Sequence, residues 1–403
     1  MRPSVWMISI IMLTVGSDGH TRPTRQLLKL VRQRLVYQLE VGAPVVRKNA
    51  ALTLTRLAPT AGSVESLGRA LLRDADPSVR RAAAKSLGRI GHRAVASIGA
   101  LRQALRLDKV VAVRIAAAHA LITVDRRSTR LAHALGQALA VESDETARHQ
   151  LVRVLGALGR RAAPALTYLE QALRAEPARP VRRALGMLLA RVGSPAVPVL
   201  ARLLKGGRDV RWIAATTLGR LGRRGRAASA ALVARLDDPD IYVREAAIWA
   251  LGRIGAPGAV PRLRQLLLGD PHAGLRKAAA AALGRIGARE CGPTAWSICR
   301  AQGEAVAALR LALVNDGSGR VRWAAAWALG TMGPRAAPAL LALQQTLLRD
   351  PKGKVRGAAA VALGRMGKRA RPATRALKHA HAQDRSAEVQ RLTVSALRLI
   401  EGG

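Results

Sequence analysis

The thirteen residues VRWAAAWALGTMG (321–333) recur along the chain with small changes. Residues 79–91 read VRRAAAKSLGRIG, 210–222 read VRWIAATTLGRLG, 243–255 read VREAAIWALGRIG and 355–367 read VRGAAAVALGRMG. With the arginine of the Val-Arg pair as marker, copies fall at Arg47, Arg80, Arg114, Arg148, Arg182, Arg211, Arg244, Arg276, Arg322 and Arg356, and Gln390 stands in the last. Successive spacings are 33, 34, 34, 34, 29, 33, 32, 46, 34 and 34. A period in this range marks units that stack in one dimension, each burying its apolar face only against its neighbours. The 403 residues therefore need no division into two or three compact domains.

Each unit reads as two helices. The first is typified by AVPRLRQLLL (259–268) and ALLALQQTLL (339–348), with leucines three and four apart on one face. The second is the quoted block, where Val321, Ala325, Leu329 and Met332 form one core-facing stripe. Gly333 supplies a positive-φ end, and Gly330 with the alanines permits close approach of helices. Between the two helices stand Asp76-Pro77, Asp238-Pro239, Asp270-Pro271 and Asp350-Pro351. There the Asp is expected to cap the second helix and the Pro to occupy its first turn.

The pattern D-P-x-V-R-x-x-A-A-x-A-L-G-x-I-G resembles the HEAT-like repeats named after phycobilisome lyases, from about Leu27 to Ile400. The resemblance implies an all-α fold, a right-handed α-α superhelical solenoid of about eleven repeats, with second helices lining the concave side. It also implies that the marker arginines are structural, bonding to acidic or carbonyl groups of the adjacent unit.

The composition suits thin, closely packed helices. There is no Phe, aromatic residues make up 2%, and the apolar 49% is largely Ala, Leu and Val. The balance of 67 basic against 25 acidic residues, +42 in all, makes a field that attracts polyanions. Because the excess is spread over the whole length, a coding bias towards Arg as the default surface residue accounts for it equally well.

Residues 1–17 read as a short export signal, with the apolar run VWMISIIMLTV (5–15) and cleavage after Ser17. The alternative is a cytosolic N-terminal helix. The solenoid is then assigned to 18–403. The apolar run is too short to cross a bilayer, which needs roughly 20 residues, and no other segment suits. Cys291 and Cys299 lie in an extra segment, 288–303, where a small disulfide-closed loop is expected if the chain is exported.

Enzymatic readings find few candidates. None of the eight histidines precedes Glu, so the His-Glu iron pairs of the deoxyhypusine hydroxylases, which have HEAT-like repeats, are missing. No metal ligands, cofactor motif or catalytic grouping stands out. HEAT-like DNA alkylpurine glycosylases use a basic concave face. Here, however, only Glu245 brings a carboxylate to the corresponding stripe.

That stripe is the column one, five and nine residues after each marker. The ninth position is Arg in seven of eleven copies, among them Arg89, Arg191, Arg220, Arg253, Arg285 and Arg365. Arg81 and Lys85 join it, as do Trp212, Trp249, Trp323 and Trp327. One reading is a groove with a basic rail and four exposed indoles, holding an acidic protein or another polyanion. The other is that each Arg covers the last carbonyls of its own helix. The column favours a monomeric, non-enzymatic binding scaffold without a cofactor; the runner-up is a nucleic-acid-binding HEAT-like protein.

Overall fold

A computed structural model describes residues 25–57, 59–125, 128, 130–289 and 296–402. The export segment 1–17 lies outside the described residues, as does Cys291 of the expected disulfide. The described residues form eleven helix pairs and no strand, so the all-α repeat fold is observed. They group into two units, Met1–Tyr168 and Leu169–Gly403. Within each, second helices of successive repeats lie side by side and, apart from Arg179–Val192, each is backed by its own first helix.

The core is the stripe the repeat encodes. Val321, Ala325 and Leu329 are fully buried, as are their counterparts Val79, Ala83 and Leu87. Alanine layers leave little space, and backbones touch. A Cβ on Gly330 would stand 3.0 Å from the Cα of Ala362 in the next second helix, and one on Gly364 would stand 2.9 Å from that of Ala396. Gly333 takes φ 59°, and a 3-10 segment, Gly333–Ala339, turns the chain back to the next first helix.

The Asp-Pro pairs divide. Asp76 caps the helix Pro77–Ile90 through the amide of Ser78, with Pro77 in the first turn as expected. The other three do not follow that register. The helices after Asp238, Asp270 and Asp350 begin at Ile241, Ala273 and Gly353, so each Pro lies in the turn before the helix. The Asp270 carboxylate accepts from the His272 amide ahead of its helix, while those of Asp238 and Asp350 serve another purpose.

That purpose is a ladder. Most marker arginines reach back to a carbonyl of their own repeat and forward to a carboxylate of the next, whereas among the described residues Arg244 makes only the backward bond, to Asp238 O. Arg80 donates Nη1–H to Asp74 O at 2.9 Å, while Nε and Nη2 meet both oxygens of Asp108 at 2.7 and 3.0 Å. The same fork joins Arg47 to Asp74 and Arg114 to Glu142 in the first unit. In the second unit it joins Arg276 to Asp316, Arg322 to Asp350 and Arg356 to Asp384. Arg211 also meets Asp238 through two nitrogens. The carboxylate belongs six residues before the next marker, a column that the Val-Arg spacing alone does not reveal. Where position 205 is Lys, Arg182 takes the half-exposed Asp209 through one nitrogen instead. In the last repeat Gln390 keeps the backward bond, Nε2–H to Asp384 O.

The irregular spacings also have structural counterparts. The short unit reduces its first helix to Val197–Leu203. Part of the extra segment is helix rather than loop, because Trp296–Asn315 is a 20-residue first helix that includes Cys299.

Candidate functional site

The column positions lie on the second-helix face, away from the core. In the first unit Arg81, Lys85 and Arg89 are exposed and line a shallow depression of about 620 Å³ with His119, Ile115 and Thr123. Burial, then the neighbouring Arg81 and Arg89 charges, holds the Lys85 ammonium below its usual range. Burial and Arg153 do the same to His119. His119 occupies the fifth position of its copy, so the column rule already pointed to it.

In the second unit Arg191, Arg220, Arg253, Arg285 and Arg365 are all exposed. None of the five forms an ion pair or donates to a backbone carbonyl among the described residues. The helix-end explanation of the column, in which each Arg covers its own last carbonyls, is therefore not realised. The acids that would balance them are committed elsewhere, since the ladder carboxylates are buried against marker arginines. Two classes of arginine follow from one repeat: paired ones at the marker and unpaired ones nine residues on.

The indoles correct the expectation of four exposed rings. Trp212 and Trp327 are each 41% exposed, whereas Trp249 and Trp323 are half-buried. Trp249 lies against Gly219 of the preceding helix, where any Cβ would run into its ring. The Arg253 guanidinium lies over the Trp249 ring, 6.0 Å from its centroid. Trp323 and Trp327, one turn apart, stack with centroids 5.7 Å apart and planes at 14°. The Arg365 guanidinium of the next repeat lies 4.4 Å from the Trp327 centroid, within cation–π range. The result is a ledge of two indoles and one guanidinium shared by two adjacent repeats.

Among the described residues no group of His, Cys, Asp and Glu is placed to hold a metal ion. No helix there is long and apolar enough to cross a membrane. A second row of cations, outside the column, follows closing glycines on the 3-10 segments: Arg93, Arg160, Arg223, Arg335 and Lys368. Its signal is a basic residue one or two places after five of the seven positive-φ glycines, Gly193 and Gly255 being the exceptions.

Paired helices in register, a ladder between neighbours and a side-chain column free to vary define a helical-repeat solenoid. The chain belongs to the HEAT repeats family, whose pattern it matches over residues 32–122, 166–238, 229–298 and 306–398. The match is to HEAT repeats as such, without the narrower phycobilisome-lyase qualifier. Among solved structures it is similar to Kap121p bound to Nup53p, with 15% identity and a TM-score of 0.68 over 99% of this chain and 48% of that one. It is similar also to Kap121p alone, with 16% identity and a TM-score of 0.69 over 98% and 47% of the two chains. The karyopherin Kap121p bound to the extreme C-terminus of the protein phosphatase Cdc14p matches at 15% and 0.67, over 99% and 48%. At such identity the likeness is one of fold, and this chain spans about half the length of those structures. No curated protein matches it.

Proposed function

We propose that the protein is a non-enzymatic scaffold whose second-helix face in Leu169–Gly403 binds an extended acidic protein segment. The ledge of Trp323, Trp327 and Arg365 carries the reading, because it offers a partly exposed aromatic surface beside cations that have no counterion among the described residues. Trp and Arg are the side chains most often found as interface anchors. The spacing supports an extended partner. Packed helices lie about 8–10 Å apart, so the arginine column repeats on roughly that interval. A polyproline-type strand, with three residues per turn and about 3.1 Å per residue, presents every third side chain to one face about 9 Å apart. Such strands also dock on aromatic rings. The Kap121p complexes with Nup53p and with the Cdc14p C-terminus lend support, since the same fold there holds protein segments. Export and a monomeric state, as read from the sequence, belong to the same proposal.

The test is titration of the full chain with a peptide of about fifteen residues repeating Glu-Pro-Pro, against a Ser-Pro-Pro control. The expected result is tighter binding of the Glu peptide and a loss of about tenfold or more in Trp327→Ala. Equal affinity for both peptides would overturn the acidic reading. Tighter binding of a single strand of about twenty nucleotides, with affinity falling steeply as salt rises, would favour nucleic acid instead.

A further inference from the structure

Five arginines converge around one concavity of about 790 Å³ in the second unit: Arg223, Arg226, Arg253, Arg285 and Arg289. That volume lies within the roughly 300–1,000 Å³ typical of small-ligand sites. Arg253 and Arg285 come from the ninth position of two adjacent second helices. Arg223 and Arg226 come from the 3-10 segment Gly222–Ala228, one repeat earlier. Arg289 follows the helix Ala273–Gly287 and closes the far side.

The fold builds this arrangement. Gly255 is in the left-handed region at φ 66° and ψ 57°, and its missing Cβ lets the Arg289 guanidinium lie directly against it. From there Arg289 donates Nη2–H to Ile254 O, and Gln302 donates to Arg289 O. The remaining lining residues, Gly252, Ile254 and Ala288, bring no carboxylate. Among the described residues none of the five guanidiniums forms an ion pair. Burial of Arg289, and then the charges of Arg223 and Arg226, depress its pKa. Elsewhere this chain neutralises its half-buried arginines one by one through the ladder. Here it gathers five, with no acid paired to them among the described residues.

We infer that the concavity lined by Arg223, Arg226, Arg253, Arg285 and Arg289 is a binding site for a compact cluster of phosphate groups. Guanidinium forks match phosphate oxygens two by two, and several forks around one space suit several phosphates better than one. The site goes beyond the acidic-peptide ledge: it shares Arg253 and Arg285 with the column but uses none of the tryptophans of the 323–327 stack. Free polyphosphate and a multiply phosphorylated protein segment present the same chemistry.

The experiment is calorimetric titration of the full chain at about 150 mM salt with inorganic tripolyphosphate, orthophosphate and a peptide carrying three consecutive phosphoserines. The variant is Arg223→Gln/Arg226→Gln, whose side chains are exposed and make no hydrogen bond that holds the fold. The control, Arg81→Gln/Lys85→Gln, removes the same charge from the other unit. Tripolyphosphate or the phosphopeptide is expected to bind at least about a hundredfold more tightly than orthophosphate, and the variant to lose about tenfold or more while the control loses less than about twofold. Tighter tripolyphosphate assigns a free ligand; a tighter phosphopeptide assigns a protein-borne one. Equal losses in variant and control would show only a delocalised positive field and overturn the site. So would failure of both clustered probes to outbind orthophosphate. Retention of Glu-Pro-Pro peptide binding by Arg223→Gln/Arg226→Gln keeps this outcome separate from the fate of the peptide ledge.

Discussion

Removing a ladder carboxylate should loosen one repeat interface by an amount that its geometry sets. Asp384 is the clearest case. Its side chain is 5% exposed and that of Arg356 is 15% exposed. Arg356 Nε and Nη2 bond its two oxygens at 2.7 and 2.8 Å, and the Ser386 amide bonds Oδ1 at 2.8 Å. In Asp384→Ala the guanidinium keeps only the Asp350 carbonyl and a sliver of solvent. Breaking a fully buried pair costs about 3–5 kcal/mol, and an exposed pair is worth about 0.2–1 kcal/mol. A site that is mostly but not wholly enclosed falls between them, at about 2–3 kcal/mol. In a repeat array that cost stays local, at the interface of Gly353–Arg365 with Ala387–Glu401. Amides of the last helix should then exchange with solvent about 30- to 150-fold faster, by opening of the terminal repeat. The internal control is the Arg182–Asp209 rung, a single 2.9 Å contact with Asp209 49% exposed. Asp209→Ala should cost no more than about 0.5 kcal/mol, roughly twofold in exchange. Equal exchange in the two variants, or less than about threefold acceleration in Asp384→Ala, would refute the claim that the fork rather than proximity carries the coupling.

Three further outcomes follow from the same structure. Acid should weaken the ladder. The Arg356 bond, with the Ser386 amide and against burial, holds the Asp384 carboxyl below its usual range. A depressed folded pKa gives stability that is complete above the unfolded value of about 3.9 and fades as pH falls through the folded one. The Asp384→Ala penalty should therefore be constant near neutrality and shrink below about pH 4, as followed by exchange or denaturant titration. Gly219→Ala should displace the Trp249 ring, costing about 1–3 kcal/mol with a red-shifted tryptophan emission. Unchanged emission would contradict the packing of that ring. Arg191→Gln, which removes an exposed guanidinium without an ion-pair partner, should change stability by less than about 0.5 kcal/mol in urea denaturation.

The repeat made much of this fold legible. Val321, Ala325, Leu329 and Gly333 take the places their spacing implies, because a stripe that must meet identical neighbours leaves few alternatives. The ladder arginines were also readable, but their acids were not. Asp108, Asp316 and Asp384 precede their markers by six residues, across a turn whose path depends on tertiary packing. For the same reason the Asp-Pro pattern at Asp238, Asp270 and Asp350 reads as helix caps, which the structure does not place there. The ledge was half legible. Helical periodicity put Trp323 and Trp327 on one face, yet the partial burial of Trp249 and Trp323 depends on neighbouring side chains. The basin around Arg289 is not legible in the sequence, since its five arginines come from three successive repeats and Arg289 reaches it across the bare Cα of Gly255.

The most direct test of the binding face is a single comparison on folded protein. Wild type, Trp327→Ala and Arg365→Gln are titrated with the Glu-Pro-Pro peptide after matched circular dichroism confirms the helices. The shared ledge predicts losses of about tenfold or more in each single variant, and a double variant that loses less than the product of the two. Wild-type affinity in both single variants would contradict the account.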